Sequence, residues 1–410
     1  MRFLVLTQYF HPETGAPQVR LAAMIRELLR LGHTVEVVTA LPNYPNGKIF
    51  PDYQGRFYRV EDWEGVRVHR VWMYAATGAG LKRLLNYFSF MITALWGLRR
   101  AQKPDYLFVE SPPLFLGVTG YIAAKSWRVP FILNIADLWP DTIRALGLMQ
   151  DGFALRQAEK LEAWLYCKAN YVTVVTESVR QILINDKQVQ AHKVLLLPNG
   201  VDTQLFQPQS VDAALKTLMN LPENQNVILY TGTHGYAHGM EVILQAAQLL
   251  SAENVLFLCV GGGSEKNRIQ QLCEQKKLKN VLFWTSHPPE FINRLYSLAL
   301  AGISSFRDSP LLECTRPAKT LAIMACGKPV LYSGAGEGAR LVAEAKAGII
   351  TPPENPAALS EAIQKLIHDK AYATQLGNNG RIYVEKHLQW STVIAAWLQQ
   401  FKGENAGQDI

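Results

Sequence analysis

Residues 226–247 read NVILYTGTHGYAHGMEVILQAA. Val227 to Tyr230 are apolar without a break, the pattern of a strand covered on both faces. A helical pattern starts after Gly239, with Val242, Ile243 and Ala246 on one face. Between the two lie Gly232, Gly235 and Gly239. Glycines let backbone amides come close to a phosphate, and a helix N-terminus favours negative charge. The spacing is neither a dinucleotide fingerprint nor a Walker loop, since no Lys-Ser or Lys-Thr follows. A phosphate loop and a ligand-free glycine turn both fit this stretch alone.

The strand–glycine–helix unit recurs. VGGGSEKNRIQQL places Gly261, Gly262 and Gly263 after the next strand, and YSGAGEGARLVAEA places Gly336, Glu337 and Gly338 before a later helix. Further strands are NVLFW, AGISSF, PVLYSG and AGIITP. The first half alternates in the same way, through RFLVLTQYF, HTVEVVTAL, VRVHRVW, DYLFVES, VPFILNIAD and NYVTVVT. Apolar strands separated by helices predict an α/β fold with parallel sheets. KVLLLPNGVDTQLFQP breaks the alternation, because Pro198, Asn199, Gly200 and Pro208 are turn residues. The expected division is therefore 1–200 and 201–390, with a last helix at 391–402 returning to the first half. Each half reads as doubly wound and Rossmann-like. Ligands of such sheets sit beyond the carboxyl ends of the strands, so two halves facing across a cleft place the expected site there.

A chain of 410 residues is too long for one core. Its net charge of +7 suits phosphates or anionic lipid. Nucleic acid is disfavoured, because no basic stripe interleaves with aromatics and no zinc-finger spacing occurs. The five cysteines form no CxxC pair, which fits reduced thiols in a cytoplasmic protein. No run reaches the roughly 18 apolar residues of a membrane span. The nearest is YFSFMITALWGL at 87–98, flanked by Lys82, Arg83, Arg99 and Arg100. Neither a DxD motif nor a GxSxG elbow appears.

The most informative segment for chemistry is LLECTRPAKTLAIMACGKPVL, 311–331. Pro317 suits a helix start. Lys319 then falls in the first turn, where a cation opposes the helix dipole. A bound diphosphate accounts for it better than solvent does. Arg316 and Arg307 are further candidates for the same role. In the first half, YFHPETGAPQVR offers Glu13, His11 and Arg20, with Gly15 and Ala16 allowing close approach. NIADLWPDTIRALG offers Asp137 and Asp141 at a strand end, although Asp141 also fits a helix cap.

Taken in order, YFHPETGAPQVRLA, LGHTVEVVTALPNYPNGKI, SPPLFLG, DLWPDTIRALG, VVTESV, LPNGVDTQLFQP, YTGTHGYAHGMEVIL, VGGGSEK, RPAK and MACGKPVL resemble the GT-B glycosyltransferases of retaining family 4. The likeness covers nearly the whole chain. It is strongest to the bacterial surface-polysaccharide branch that includes L-fucosamine transferases. It implies transfer of a hexose or N-acetylhexosamine from a nucleotide sugar, expected to be a UDP-sugar. The acceptor is expected to be lipid-linked or an oligosaccharide. No metal or other cofactor and no nucleic-acid partner is implied.

Donor contacts then fall on Gly232, His234, Gly235, Arg307, Glu313, Lys319, Gly336 and Gly338. Acceptor contacts fall on Gly15, Ala16 and Asp141, and catalytic roles on Lys319, Asp137 and Glu13. The basic-apolar stretch with Lys82, Arg83, Phe88, Phe90 and Trp96 fits either peripheral contact with the cytoplasmic face of a membrane, as the resemblance implies, or a core helix with solvated ends. Three positions depart from the pattern. Ala322 stands where a carboxylate meets the ribose, Ala136 where a basic residue precedes Asp137, and His238 where a lysine precedes Gly239. The first two departures favour the alternative of a non-catalytic binding protein on the same fold.

Overall fold

The computed structural model describes residues 1–13, 15–76, 78, 80–145 and 152–405. Two compact units divide the chain. Unit 1 comprises Met1–Pro198 and Ile394–Ile410, and unit 2 comprises Asn199–Val393. In unit 1 the elements are β1 (Arg2–Leu6), α1 (Ala16–Arg30), β2 (Thr34–Ala40), β3 (Tyr58–Trp63), β4 (Val66–Val71), α2 (Leu81–Leu98), β5 (Tyr106–Ser111), α3 (Leu116–Trp127), β6 (Phe131–Ile135), α4 (Asp141–Ala145), α5 (Phe153–Lys168), β7 (Tyr171–Val174), α6 (Glu177–Asn185) and β8 (Val194–Leu196). The sheet order is β3-β4-β2-β1-β5-β6-β7-β8.

All its pairings are parallel except β3 with β4. β3 is not among the apolar runs read from the sequence. Its hairpin closes through Glu64 and Gly65, at φ 53° and 82°, the left-handed pair that a two-residue turn requires. Only Trp63 of β3 is buried at this sheet edge, so the strand lacks the continuous apolar run of a covered one.

Unit 2 contains α7 (Ala213–Leu218), β9 (Asn226–Thr231), α8 (Glu241–Leu249), β10 (Val255–Val260), α9 (Lys266–Gln275), β11 (Val281–Trp284), α10 (Pro289–Leu298), β12 (Ala299–Ser305), α11 (Pro310–Glu313), α12 (Ala318–Ala325), β13 (Val330–Ser333), α13 (Gly336–Glu344), β14 (Gly348–Thr351), α14 (Pro356–His368) and α15 (Lys370–His387). Its strand order, β11-β10-β9-β12-β13-β14, is the doubly wound order of a Rossmann sheet. One face carries the cluster around Leu229, Tyr296, Leu321 and Tyr332, and the other the cluster around Tyr230, Ile243, Phe257 and Leu359. Both faces are therefore covered by helices, as the unbroken apolar strands require.

The last helix, α16 (Trp390–Asn405), bridges the two units in sequence. Trp390 packs on Gly200, where a Cβ would come within 2.7 Å of the indole. Beyond Ile394 the helix lies on unit 1, with Trp397 against Phe3 and Phe108 and Phe401 against Tyr106 and Tyr171. The Gln400 amide closes the contact by bonding both main-chain groups of Leu196.

Helix α2 buries Phe90, Ala94 and Gly97, the last so tightly that a Cβ would come within 2.8 Å of Val38. Its opposite face exposes Leu81, Leu85, Phe88, Ile92 and Trp96. Phe90 therefore belongs to the core, contrary to the membrane-contact reading, because it lies on the face turned to β2 and β4. Arg83 is also turned inward, where its Nε donates to the Tyr87 hydroxyl at 2.8 Å. Among the described residues no helix is long and apolar enough to cross a membrane.

Candidate active site

The strand order of unit 2 reverses between β9 and β12, which makes the carboxyl ends of these two strands its ligand-binding switch point. Three chain segments meet there. The loop after β9 carries Gly232 to Gly239, and the loop after β10 carries Gly261 to Gly263. These two loops interlock. Gly232 N–H donates to Val260 O at 2.9 Å, His234 N–H to Gly262 O at 2.8 Å, and Glu265 N–H to His234 O at 2.9 Å. A Cβ on Gly261 would stand 1.9 Å from Gly232 O, and one on Gly263 would stand 2.4 Å from His234 O. Glycine is needed here for backbone-to-backbone approach, at φ 150° and 153°.

Lys319 enters from the first turn of α12, which Pro317 starts from the N-cap position. Its side chain passes close to Gly232, where a Cβ would lie 3.7 Å from Nζ. The ammonium position ends 3.9 Å from the centre of the Tyr230 ring. Although part of the residue reaches solvent, Nζ itself is buried and has no hydrogen-bond partner. Desolvation pulls its pKa down to about 7, with the nearby Cys259 thiol acting weakly in the other direction.

Two histidines share this environment. His234 is fully buried with both ring nitrogens unpartnered, and desolvation followed by Lys266 and Lys319 lowers its pKa to about 4. His238 Nδ1 is also unpartnered, and desolvation followed by Lys319 lowers its pKa to about 3. The hydroxyls of Ser304, Thr320, Tyr332 and Thr351 are buried without partners in the same unit. Unpaired buried polar groups are costly, so their concentration in this unit makes it the candidate for ligand binding.

Other residues expected at the donor have different work. Arg307 braces the glycine loop from behind. Its Nε donates to Tyr236 O at 2.8 Å, and its other nitrogens pair with Glu241 at 2.7 Å and Glu354 at 3.1 Å. Its cation is thus paired inside the unit. Glu313 ends α11 with its side chain in solvent. Its main chain is what matters, since a Cβ on Gly336 would stand 2.1 Å from Glu313 O. Gly338 likewise faces Tyr332, whose hydroxyl would lie 2.1 Å from a Cβ. Packing accounts for both glycines of α13. Arg316 reaches Glu337, which Arg340 also holds. Ala322 lies in the core cluster at 8% exposure.

In unit 1 the order reverses between β1 and β5. Glu13 is buried just after β1. Its Oε1 accepts the Asn43 and Tyr44 amides, each at 2.8 Å, and its Oε2 accepts the Phe10 amide at 3.1 Å. It ties two loops together. Desolvation raises its pKa against these three bonds. Asp141 opens α4 and pairs with Lys187 at 2.8 Å, and Lys187 also holds Glu162 at 2.9 Å. Asp141 is therefore a brace to Lys187.

Gly15 is the N-cap of α1 in extended conformation, with a Cβ position 2.5 Å from Gln18 Oε1. Ala16 opens that helix, and its side chain lies outside the described residues. Asp137 follows β6 with a solvent-facing side. Crowding around the carboxyl still raises its pKa, and Arg20 opposes that rise. Arg20 pairs with buried Glu110, which accepts from Asn134 at 2.9 Å, and Asn134 accepts from Thr173 at 2.8 Å. Sequence reasoning named Arg20 but not this chain beneath it, whose members lie 24 to 90 residues apart.

Two Rossmann-like α/β units, one with glycine loops and Lys319 gathered at its switch point, define the GT-B class of protein. Two family profiles match accordingly. That described as a glycosyl transferase 4-like domain covers residues 15–200, and that of glycosyl transferases group 1 covers residues 215–383. The chain thus carries a glycosyl transferase 4-like domain followed by a glycosyl transferases group 1 domain. It is similar to the putative colanic acid biosynthesis glycosyl transferase WcaI of Escherichia coli K12, with 27% identity across 98% of this chain and 100% of that one. A D-inositol 3-phosphate glycosyltransferase of Streptomyces bingchenggensis is 23% identical over 94% of this chain and 84% of its own length. Among solved folds, sucrose-phosphate synthase from Thermosynechococcus elongatus superposes with a TM-score of 0.78 at 20% identity, covering 99% and 100% of the two chains. HepE of Anabaena, solved in complex with UDP-glucose, gives 0.73 at 17% identity, covering 98% and 100%.

Proposed function

We propose that this glycosyltransferase moves a hexose or N-acetylhexosamine from a UDP-sugar to a lipid-linked or oligosaccharide acceptor of surface-polysaccharide assembly. Transfer retains the anomeric configuration and uses no metal, as the resemblance to the L-fucosamine transferase branch implies. The observation that carries the reading is Lys319 Nζ, buried without a partner beside Gly232 at the switch point of unit 2. A cationic donor and loop amides set there are placed to stabilise a leaving diphosphate as its charge develops. Glycan names among the relatives and UDP-glucose in the HepE complex support the choice of donor and pathway.

Unit 1 supplies the acceptor side, with Asp137 at the end of β6 as its polar contact. The exposed stripe Leu81, Leu85, Phe88, Ile92 and Trp96, next to exposed Lys82, Arg99 and Arg100, suits an anionic membrane surface on the cytoplasmic side. Incubating the protein with a panel of nucleotide sugars and membrane extract, followed by mass spectrometry, tests donor and acceptor together. A new glycosylated product with release of UDP is expected. No product from any donor would favour the non-catalytic binding protein to which Ala322 and Ala136 point.

A further inference from the structure

Resting on that reading of the donor seat, we propose that Lys319 waits as a neutral amine and is charged by its ligand, so that the seat takes up a diphosphate and a proton together and releases them together. An ammonium carries three donors, and here Nζ is buried with no acceptor. The groups around it come from several elements. Tyr230 on β9 lies beneath it, with its own hydroxyl donating to Thr233 O at 2.6 Å. Cys259 on β10 is a fully buried thiol held neutral, its pKa pushed up to about 12 by desolvation. His234 and His238 on the glycine loop are neutral, with unpartnered nitrogens. Nζ of Lys266 on α9 donates to the carbonyls of Gly261 and Trp284, each at 2.8 Å.

Two arginines nearby are engaged elsewhere, Arg307 with Glu241 and Glu354 and Arg316 with Glu337. No carboxylate is among the groups that shift Lys319, His234 or His238. The ring face of Tyr230 gives weak compensation, and a buried charge without a counter-ion sheds its proton. The depressed pKa of the amine, about 7, agrees with this geometry. A diphosphate arriving beside Gly232 supplies the missing negative charge and restores the ammonium. The proton comes from water and returns to water when the nucleotide leaves. During sugar transfer Lys319 is then charged at the moment the leaving diphosphate gains charge.

The sign follows from linkage. Above pH 7 the free seat is mostly neutral and the filled seat is charged, so binding consumes protons and weakens as pH rises. At pH 8, one unit above a pKa of about 7, about ten in eleven free amines are neutral. Phosphate ionisation, with a second pKa near 6, is complete by then. Calorimetric titration of UDP at pH 8, in two buffers of different ionisation enthalpy, should therefore show uptake of about 0.9 proton per nucleotide. Affinity should fall about tenfold between pH 8 and pH 9.

Lys319→Arg keeps a permanent cation and should bind UDP with no proton uptake and a flat pH profile. Lys319→Met, checked for folding by circular dichroism, should lose both the affinity and the uptake. Wild-type binding without proton uptake would overturn the proposal, as would uptake that persists in Lys319→Arg and so belongs to the histidines. Failure of UDP to bind at any pH would overturn the reading of the seat itself.

Discussion

Gly261→Ala tests whether the two glycine loops hold each other in place. An alanine Cβ would sit 1.9 Å from Gly232 O and 3.2 Å from His234 Nε2, at a φ of 150° that side chains rarely adopt. The backbone strain alone costs about 1–3 kcal/mol. Forcing the carbonyl away costs about 1–3 kcal/mol more, because the neighbouring loop must shift. With partial relaxation, a loss of about 2–4 kcal/mol is expected, which corresponds to roughly 5–15 °C in Tm for a unit of this size. The shift would also break the Gly232–Val260 and His234–Gly262 bonds and move the Gly232 amide, so UDP affinity should fall with stability. Gly262→Ala is the internal control. Its Cβ would meet only Ser286 Oγ, at an ordinary 3.5 Å, and its φ is not in the left-handed range. Scanning calorimetry and UDP titration on both variants decide the matter. Equal melting of the two, or wild-type UDP binding by Gly261→Ala, would refute the interlocked-loop account.

Three other perturbations probe separate parts of the molecule. Glu13→Gln leaves one carbonyl oxygen for three backbone amides, so unfolding should become about 1–3 kcal/mol easier, measured by denaturant titration. Ala322→Glu should tighten UDP binding roughly tenfold if the ribose lies beside α12, the worth of one charge-assisted bond. A lower Tm with unchanged affinity would place the ribose elsewhere. Leu85→Ser with Ile92→Ser should reduce sedimentation with anionic liposomes while leaving Tm within about 2 °C, because both side chains are exposed. Retention on liposomes would show that the α2 stripe does not meet lipid.

The fold was legible wherever a strand was covered on both faces. NVILYTG, NVLFLCV and VPFILNIAD are strands because unbroken apolar runs have no solvent side. The edge strand β3 was missed because it lacks that run, although its Glu-Gly turn was a usable signal. At the site, Lys319 could be read from a cation in a helix's first turn, a local conflict visible in sequence. The internal partners of Arg307, Glu13 and Asp141 were not legible, because Glu241, Asn43 and Lys187 lie 30 to 66 residues away, and charge alone does not tell a ligand contact from an internal ion pair. Glycines posed the same problem. The sequence shows Gly336 and Gly338, but only three-dimensional packing shows that Glu313 and Tyr332 occupy the space a side chain would need.

The central claim is that the switch point of unit 2 seats a nucleotide diphosphate on Lys319. Titrating UDP into the wild-type protein and into Lys319→Ala at pH 7, with matched melting curves, tests it most directly. Saturable wild-type binding that weakens by about tenfold or more in Lys319→Ala, the loss of one hydrogen bond to a charged group, is the predicted result. Equal affinity in the two proteins would contradict it.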